Sequence, residues 1–475
     1  MKLLKNFSIY SFGKILVEGL KFFLIPVYTK YIPLDQYGVL NVLNSIKNMG
    51  THFFSQISQA AQNRFYFKDR DKEAFYPSIF TIFSIGFSLL FLLSIIFYDF
   101  IAISLFSPFP ELSYIYWLML FVGLFEFIIH LTQNKNTLES RSLSFVFISI
   151  FQGIGSLVLT IYLVVVRSMT IDGVVLSLFI IYLLLSIYIM TQTARHIFKK
   201  PDIKLIKKYF SYGIPLAFAA IASILLTSGD RFIIKFYLDN DAVGAYSFIY
   251  LISSVLFSFV IRPFSRVMNP LIMKSEGKLK QLDKIIKNSI KSILVAVSFA
   301  SLFFVFFIKY FLEVFVSNKD YLLFYDLIYI LSLGVIMQSF MGFVSKGMVF
   351  SNKSGHMSFS TITFAIINVV LNFILIPIMG IYGAAYATAI SYAGMTITII
   401  YFSEKFHPLR YPKMTIFLII LCYVFSLGLF FLFRPIINEI LLKTLIILLY
   451  PILLFMIGIL NKKNIKFLIK TIKRN

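Results

Sequence analysis

The sequence is poor in the residues that build disulfides, metal centres and soluble catalytic sites. Its one cysteine, Cys422, lies in an apolar stretch, which excludes a disulfide framework or a thiolate metal site within one chain. Its five histidines do not cluster, so neither a metal nor another cofactor is expected. No Walker-type phosphate loop is present, so the chain is not expected to hydrolyse nucleotide. Charged residues make up only 14% of the chain, against about 25% in a soluble domain.

Apolar residues fill the sequence instead. They make up 59% of the chain, and the mean hydropathy is +0.87. Roughly fourteen stretches are long enough to cross a bilayer, because about 20 apolar residues cover the ~30 Å hydrocarbon core. Such long continuous runs exclude a β-barrel and predict an all-α integral membrane protein of about 14 transmembrane helices. The predicted spans are 7–31, 39–64, 75–97, 112–134, 143–166, 171–193, 209–236, 242–264, 291–310, 321–346, 355–378, 381–402, 414–434 and 440–460.

The basic residues divide unevenly between alternate loops. Thirty Lys and Arg residues fall in one set of loops, and seven fall in the other. The positive-inside rule places the first set and both termini in the cytoplasm, which requires an even number of spans, either fourteen or twelve. This distribution accounts for the net charge of +23 without a nucleic-acid partner. The two longest basic loops, 194–208 and 267–290, are expected to contact anionic lipids, with a regulatory role as the alternative.

The chain resembles itself at an offset of about 206–211 residues. Tyr31–Gly38 matches Phe236–Gly244, each with an acidic turn before a glycine, and Met169–Gly173 matches Met379–Gly383. The offset spans six helices, so the two copies have parallel orientation, as in transporters with a site between two lobes. The predicted organisation is an N-terminal six-helix lobe at 1–200, a C-terminal six-helix lobe at 201–410, and two extra helices with a basic cytoplasmic tail at 411–475.

Charged residues inside the spans are the candidate site, because each costs about 2.5–3.5 kcal/mol at a helix centre. Lys14, Glu18 and Lys21 share one helix face, and their surplus positive charge favours a cavity for an anionic substrate over a self-neutralising cluster. Lys47 has no acidic neighbour in its own helix, which also favours a cavity. The predicted substrate-binding residues of a central cavity are Lys14, Glu18, Lys21, Lys47, Arg64 and Arg231.

Other interpretations of these charges stay open. Arg64 is also placed to snorkel to the cytoplasmic interface. Asp230 and Arg231 point about 100° apart on a helix, so each is expected to pair with a different helix or to face the cavity. Glu126 and His130 lie one turn apart and form either a local ion pair or a proton relay. The candidates for ion or proton coupling are Glu18, Asp230, Glu126 and His130.

Several segments resemble one known family. The opening Asn6–Gly13, the loop Tyr31–Gly38, Ser228–Lys235 and Gly380–Thr388 are similar to the polysaccharide-transport branch of the multidrug/oligosaccharidyl-lipid/polysaccharide exporter superfamily, over nearly the whole chain. The resemblance implies a flippase that moves undecaprenyl-diphosphate-linked sugar repeats between leaflets by alternating access. It implies a bacterial cytoplasmic membrane location, basic residues in a central cavity, and a lipid-linked oligosaccharide as partner, with glycan polymerase machinery as a further one.

Three other functions stay open. A drug or metabolite exporter of the same superfamily is expected to have a more acidic or apolar cavity. A lipid II flippase has the same fold. A membrane-embedded glycan polymerase or ligase is expected to carry a large outer loop or a cytoplasmic acidic motif, and this sequence has neither. The protein is therefore predicted not to be an enzyme.

Overall fold

The computed structural model of the chain describes residues 19, 21–67, 72–139, 141–197 and 199–460. Regular structure within these ranges is helical, and no strand forms there. The chain divides into two compact units. The first comprises Met1–Ser247, Phe315–Leu323 and Asn372–Ile381, and the second comprises Phe248–Val314, Phe324–Leu371 and Tyr382–Asn475.

The first half of the described chain forms ten helices of very different lengths. A 3-10 turn at Lys21–Leu24 precedes them, a second lies at Pro110–Leu112, and a π-helical turn at Tyr162–Val166 ends the sixth helix. The helices are α1 (Ile25–Tyr31), α2 (Leu34–Phe65), α3 (Lys72–Ile96), α4 (Tyr98–Phe106), α5 (Ile115–Leu138), α6 (Ser142–Ile161), α7 (Ile171–Ile197), α8 (Ile203–Ser228), α9 (Asp230–Tyr237) and α10 (Asn240–Leu256).

The second half continues with nine helices within the described ranges. A π-helical turn at Phe257–Ile261 joins α10 to the next helix, and a 3-10 turn lies at Lys319–Leu322. The helices are α11 (Arg262–Lys274), α12 (Leu279–Phe315), α13 (Leu327–Ser339), α14 (Met341–Val344), α15 (Lys346–Phe350), α16 (Gly355–Met379), α17 (Ile381–Phe406), α18 (Lys413–Phe433) and α19 (Glu439–Met456).

The predicted all-α membrane fold is confirmed. Twelve helical segments of the described chain are long and apolar enough to cross a membrane, and they correspond in order to the third to fourteenth predicted spans. The first predicted span lies mostly outside the described residues. The second is α2, a helix of 32 residues that carries Asp35, Lys47 and Arg64 and is therefore much less apolar. The total of fourteen spans stays a prediction.

Two segments predicted as long basic loops are largely helical. Only 275–278 separate α11 from α12, and α7 and α8 are separated by residues 198–202. The 267–290 segment is helical because it is amphipathic: Leu282, Ile286 and Ile290 recur every four residues and are buried, while the lysines point elsewhere. The predicted span 209–236 is also divided, between α8 and α9, at Gly229, a poor helix former.

Helix α2 lies at the centre of the first unit. Helix α8 runs along α2. Gly213 of α8 packs directly against Ile57 of α2, because glycine has no side chain to hold the two helices apart. Phe53 of α2 meets Phe218 of α8 edge-on, with ring centres 5.4 Å apart. On the other side of α2, α3 and α5 complete an apolar core that includes Phe83 stacked on Phe127. The functional candidates of α2 are therefore held by helices on several sides.

In the second unit, buried tyrosine hydroxyls connect the apolar helices. The Tyr423 hydroxyl of α18 lies 2.9 Å from that of Ser301 and 2.8 Å from that of Ser332, so it joins α18 to α12 and α13. The Tyr450 hydroxyl of α19 donates to Ser298 of α12 at 2.7 Å. An unpaired hydroxyl is costly in an apolar surrounding, so these contacts fix how the helices pack.

Candidate functional site

Lys47 lies near the middle of α2 and is paired with an acid from another helix. Its Nζ lies 2.6 Å from Oε2 of Glu126 in α5, and the two side chains are 9% and 19% exposed. The sequence offered Lys47 no acidic neighbour in its own helix, and the structure supplies one from 79 residues away. The positive charge predicted to face a cavity is therefore balanced here by Glu126.

Glu126 is shared between Lys47 and His130. Its other oxygen, Oε1, lies 3.5 Å from Nε2 of His130, one turn further along α5, so the predicted local contact is present. His52 of α2 lies close enough to interact electrostatically with all three groups. We call Lys47, His52, Glu126 and His130 the Lys47 cluster.

A glycine allows the helices of the Lys47 cluster to approach. A Cβ at Gly123 of α5 would lie 2.4 Å from Cγ2 of Thr51 and 3.2 Å from Cγ of Lys47. Distances below 3.0 Å force neighbouring atoms to move, so a side chain at this position would push α5 away from α2. Gly123 lies one turn before Glu126, and it thereby brings the carboxylate within reach of Lys47.

Asp230 and Arg231 form a second buried group at the start of α9. Asp230 is 1% exposed and Arg231 is 7% exposed. Arg231 Nη1 donates to Asp230 Oδ1 at 3.1 Å and to the Thr227 carbonyl oxygen at 2.9 Å. From α10, the Tyr246 hydroxyl donates to Asp230, and the Ser247 hydroxyl accepts from Arg231 Nε at 3.1 Å.

This geometry corrects one expectation. Asp230 and Arg231 do bond to a helix other than their own, α10, but they also pair with each other, so the divergence predicted from their separation of about 100° is not found. The separation of about 100° between the two side chains assumes that both residues lie in the middle of a continuous helix. Asp230 instead opens a new helix after Gly229, and the long arginine side chain folds back to reach its neighbour.

Of the remaining predicted site residues, only Lys21 and Arg64 lie in the described part of the chain. Lys14 and Glu18 lie outside the described residues, and Lys21 begins the 3-10 turn before α1. Arg64 lies in the last turn of α2 with an exposed side chain, far along the helix from Lys47. The structure therefore brings together Lys47, Glu126 and His130, and separately Asp230 and Arg231.

The two glycines aligned by the internal repeat meet each other's helices. A Cβ on Gly38 of α2 would lie 2.0 Å from the carbonyl oxygen of Asn240, and one on Gly244 of α10 would lie 2.3 Å from that of Leu34. The beginnings of α2 and α10 thus cross in backbone contact. Nearby, Tyr321 donates a hydrogen bond to the Ile32 carbonyl oxygen at 3.0 Å. The Gly38–Gly244 crossing lies at the opposite end of α2 from Arg64.

The family comparison agrees with the membrane architecture. The profile of the family described as "Polysaccharide biosynthesis protein" matches residues 3–276, more than half of the chain. The chain belongs to this family. The match contains α2, α5, α9 and most of the residues discussed above, so both buried charge groups lie in the family's matched region.

Relatives extend the comparison. The chain is 26% identical over 214 residues to the probable low-salt glycan biosynthesis flippase Agl15 of Haloferax volcanii, a match that spans 45% of each chain. The chain thus spans less than half the length of this curated relative. Among solved structures, it is similar to a lipid II flippase MurJ in an inward closed conformation, with a TM-score of 0.74, 17% identity, and coverage of 95% of this chain and 100% of the other.

A multidrug transporter shares the fold more distantly. An inward-facing MATE family transporter of the MOP superfamily matches with a TM-score of 0.60 and 13% identity, over 84% of this chain and 94% of that one. At such low identities these two likenesses show the fold. The family itself is shown by the profile match, and this member of the polysaccharide biosynthesis family shares its fold with both transporters.

Sequence reasoning missed some buried polar residues of this family member. Lys443 of α19 falls within the predicted span 440–460 but was not among the candidate residues; it is 1% exposed, lies 2.6 Å from Glu439 and packs 4.7 Å from the centre of the Tyr310 ring. The spacing of four residues from Glu439 was the available signal. The partners Tyr246 and Ser247 gave no such signal, because hydroxyl residues in apolar helices usually bond to their own backbone.

Proposed function

We propose that this protein is a flippase that moves a lipid-linked oligosaccharide repeat unit, carried on undecaprenyl diphosphate, from the inner to the outer leaflet for cell-surface polysaccharide synthesis. The observation that carries the proposal is the family match on a chain whose described part consists of membrane helices. The relative from Haloferax volcanii is a probable glycan biosynthesis flippase and MurJ is a lipid II flippase, which supports transport of a lipid-linked glycan over its polymerisation.

The proposed transporter consists of two six-helix lobes, 1–200 and 201–410, followed by two helices, with both termini in the cytoplasm of a bacterial cell. The support is the internal repeat and the asymmetry of basic residues between alternate loops. Anionic lipids and the glycan polymerase machinery are its proposed partners in that membrane.

Lys47 is the proposed first contact of the substrate diphosphate. A phosphate accepts strong charge-assisted hydrogen bonds from an ammonium group. Lys47 already has a carboxylate partner 2.6 Å away, so substrate must displace Glu126 from it. Glu126 would then keep His130 as its partner, which limits the cost of the exchange. Lys14 and Lys21 supply further positive charge, with Arg64 at the cytoplasmic end.

Arg231 and Asp230 have a different proposed role. Both are almost fully buried and hydrogen-bonded to α10, so a substrate would have to break several bonds to reach them. We therefore assign them to positioning α9 against α10 in this conformation. Glu126 and His130 are the better coupling candidates, because the His130 side chain is 39% exposed whereas Asp230 is 1% exposed.

The Gly38–Gly244 crossing is the proposed closure of the outer face. With the topology predicted from charge, the start of α2 lies on the outer side. Backbone contact between repeat-related helices leaves no gap between them there. In alternating access, these helix ends separate when the protein opens outward.

Translocation in proteoliposomes tests the proposal. The substrate is a radiolabelled undecaprenyl-diphosphate oligosaccharide, and transfer is measured as label accessible to an enzyme added on one side. Wild type is compared with Lys14→Ala, Lys21→Ala and Lys47→Ala, and with Lys278→Ala, an exposed lysine between α11 and α12, as the matched control. We expect transfer by wild type and the control, and a loss of about tenfold or more in Lys47→Ala, the equivalent of about 1.4 kcal/mol.

Two outcomes decide against the flippase function, and a third decides only against the role of Lys47. If wild type transfers no lipid but elongates the glycan, the protein is a polymerase. If it transfers only organic cations, it is a drug exporter. If transfer occurs and Lys47→Ala equals the control, the flippase function stands and the assignment of Lys47 is wrong.

A further inference from the structure

A pocket lies away from the Lys47 cluster, where α5 ends, α6 begins and α7 approaches its end. Its volume is about 370 Å³. These three consecutive helices run antiparallel, so the end of α5, the start of α6 and the end of α7 lie on the same face of the membrane. Polar residues make up about half of the lining and include Lys135, Asn136, Arg141, Ser144, Gln192 and Thr193.

The lining of the α5–α6–α7 pocket changes from polar to apolar with depth. Phe147 and Ile148 line it nearly two helical turns, roughly 10 Å, further along α6 than Arg141, and Tyr188 of α7 lines it as well. Phe147 is 54% exposed and Tyr188 is 46% exposed on the surface that would face lipid. The pocket is therefore open sideways to the bilayer, with charge at its mouth and apolar surface below.

Lys135 and Arg141 lie at the mouth of the pocket, and each contacts a neighbouring helix or turn. Arg141 Nε lies 2.8 Å from Glu139 Oε2, and Glu139 also accepts a hydrogen bond from the Tyr66 hydroxyl. The planar guanidinium of Arg141 carries five N–H donors that it can present to a ligand. Lys135 Nζ lies 5.1 Å from the centre of the Tyr76 ring of α3. The two basic groups outnumber the one carboxylate beside them.

The start of α6 adds to the same positive field. Arg141 is the N-cap residue of this helix of 20 residues, and no side chain caps its first turn by a hydrogen bond. The first N–H groups of a helix lack partners within it, and the helix dipole favours negative charge at this end. Leu143 and Ser144 of this first turn line the pocket.

We infer that the α5–α6–α7 pocket binds an anionic glycerophospholipid, with the head-group phosphate between Lys135, Arg141 and the start of α6 and an acyl chain along Phe147 and Tyr188. The apolar side open to the bilayer favours a lipid over a free phosphate ion. Basic pockets between helices on the cytoplasmic side suit such head groups, and the positive-inside rule assigns this face to the cytoplasm. The inference does not depend on the transport activity.

Lipid binding to the purified full chain tests this inference. The protein is delipidated in detergent and titrated with phosphatidylglycerol, with phosphatidylcholine of the same chains, or with glycerol 3-phosphate, and native mass spectrometry counts bound molecules. The double variant Lys135→Gln/Arg141→Gln is compared with Lys30→Gln/Arg167→Gln, which removes the same charge from two exposed residues that do not line the pocket. We expect about 30-fold weaker binding of the first phosphatidylglycerol in the pocket variant and less than threefold change in the control.

A steric variant keeps the test independent of charge and of folding. Ser144 is exposed at the pocket wall, so Ser144→Trp fills the pocket without changing charge or a buried residue. We expect Ser144→Trp to lose the same phosphatidylglycerol molecule. If the double variant does not fold, the binding measured for Ser144→Trp tests the inference by itself. Unchanged phosphatidylglycerol binding in Ser144→Trp overturns the inference. Glycerol 3-phosphate binding as tightly as the lipid overturns the choice of a lipid over a soluble phosphate.

Discussion

The Lys47–Glu126 pair allows a substitution whose effects on stability and on transport separate. Glu126→Gln keeps the size of the side chain and removes its charge. The lysine amine is then left in a site where its side chain is 9% exposed, with no carboxylate at 2.6 Å. Removing one partner of a buried ion pair costs about 3–5 kcal/mol, and we expect about 3 kcal/mol because Glu126 retains some exposure.

The double variant Lys47→Met/Glu126→Gln tests whether this cost arises from the unpaired lysine. Replacing both partners by neutral groups of similar shape leaves no uncompensated charge. We therefore expect it to regain at least 2 kcal/mol of the loss, as a double-mutant cycle would measure for groups in direct contact. Denaturant unfolding in detergent, followed by circular dichroism, gives the free energies of wild type, Lys47→Met, Glu126→Gln and the double variant.

Transport by the same four proteins assigns the role of Lys47. If Lys47 binds the substrate phosphate, the double variant regains stability while its translocation stays at least tenfold below wild type. Glu126→Gln as stable as wild type would refute the reasoning about the buried pair. Stability and translocation that recover together in the double variant would show that Lys47 only holds α2 against α5.

Three further predictions follow from other contacts. Gly38→Ala should lower the free energy of unfolding by about 1–3 kcal/mol, because its Cβ would lie 2.0 Å from a carbonyl oxygen, whereas Gly428→Ala, with nothing within 4 Å, should not, as thermal unfolding in detergent would show. Asp230→Asn should cost about 3–5 kcal/mol in the same assay, since it leaves the buried Arg231 without its carboxylate. Burial raises the pKa of Tyr411 from 10.0 to about 12, so its contribution to stability is complete below pH 10 and is lost as the pH rises through about 12. Alkaline unfolding of wild type and of Tyr411→Phe, compared by phenolate absorbance, checks this.

The membrane architecture could be predicted because hydrophobic length is a local property of the sequence. Each of the twelve apolar helical segments in the described ranges corresponds to a predicted span. Local spacing also identified the Glu126–His130 contact, which lies within one turn of one helix. The segment 267–290 was predicted as a long basic connection that could be amphipathic, and the recurrence of Leu282, Ile286 and Ile290 at every fourth residue is the signal for the helix that forms there.

Contacts between distant segments could not be predicted in the same way. Lys47 and Glu126 are 79 residues apart, and their pairing depends on which faces of α2 and α5 meet and on the absence of a side chain at Gly123. The repeat aligned Gly38 with Gly244, but it did not indicate that each glycine would touch the other copy's helix. A single sequence records the periodicity of a helix and contains no information on its rotation against a neighbour.

The pairing of the internal charges changes how the candidate residues rank. A charge in a membrane helix was taken as a functional indication because it is costly there. In the first unit both Lys47 and Arg231 have a carboxylate partner, so the cost is already offset and the indication weakens for each. What separates them is access: the Lys47 cluster keeps partly exposed groups in Glu126 and His130, while Asp230 and Arg231 are enclosed by α10. A phosphate that displaces a carboxylate from its basic partner must be able to reach the ion pair. The Lys47 cluster is therefore the proposed site in preference to the Asp230–Arg231 group.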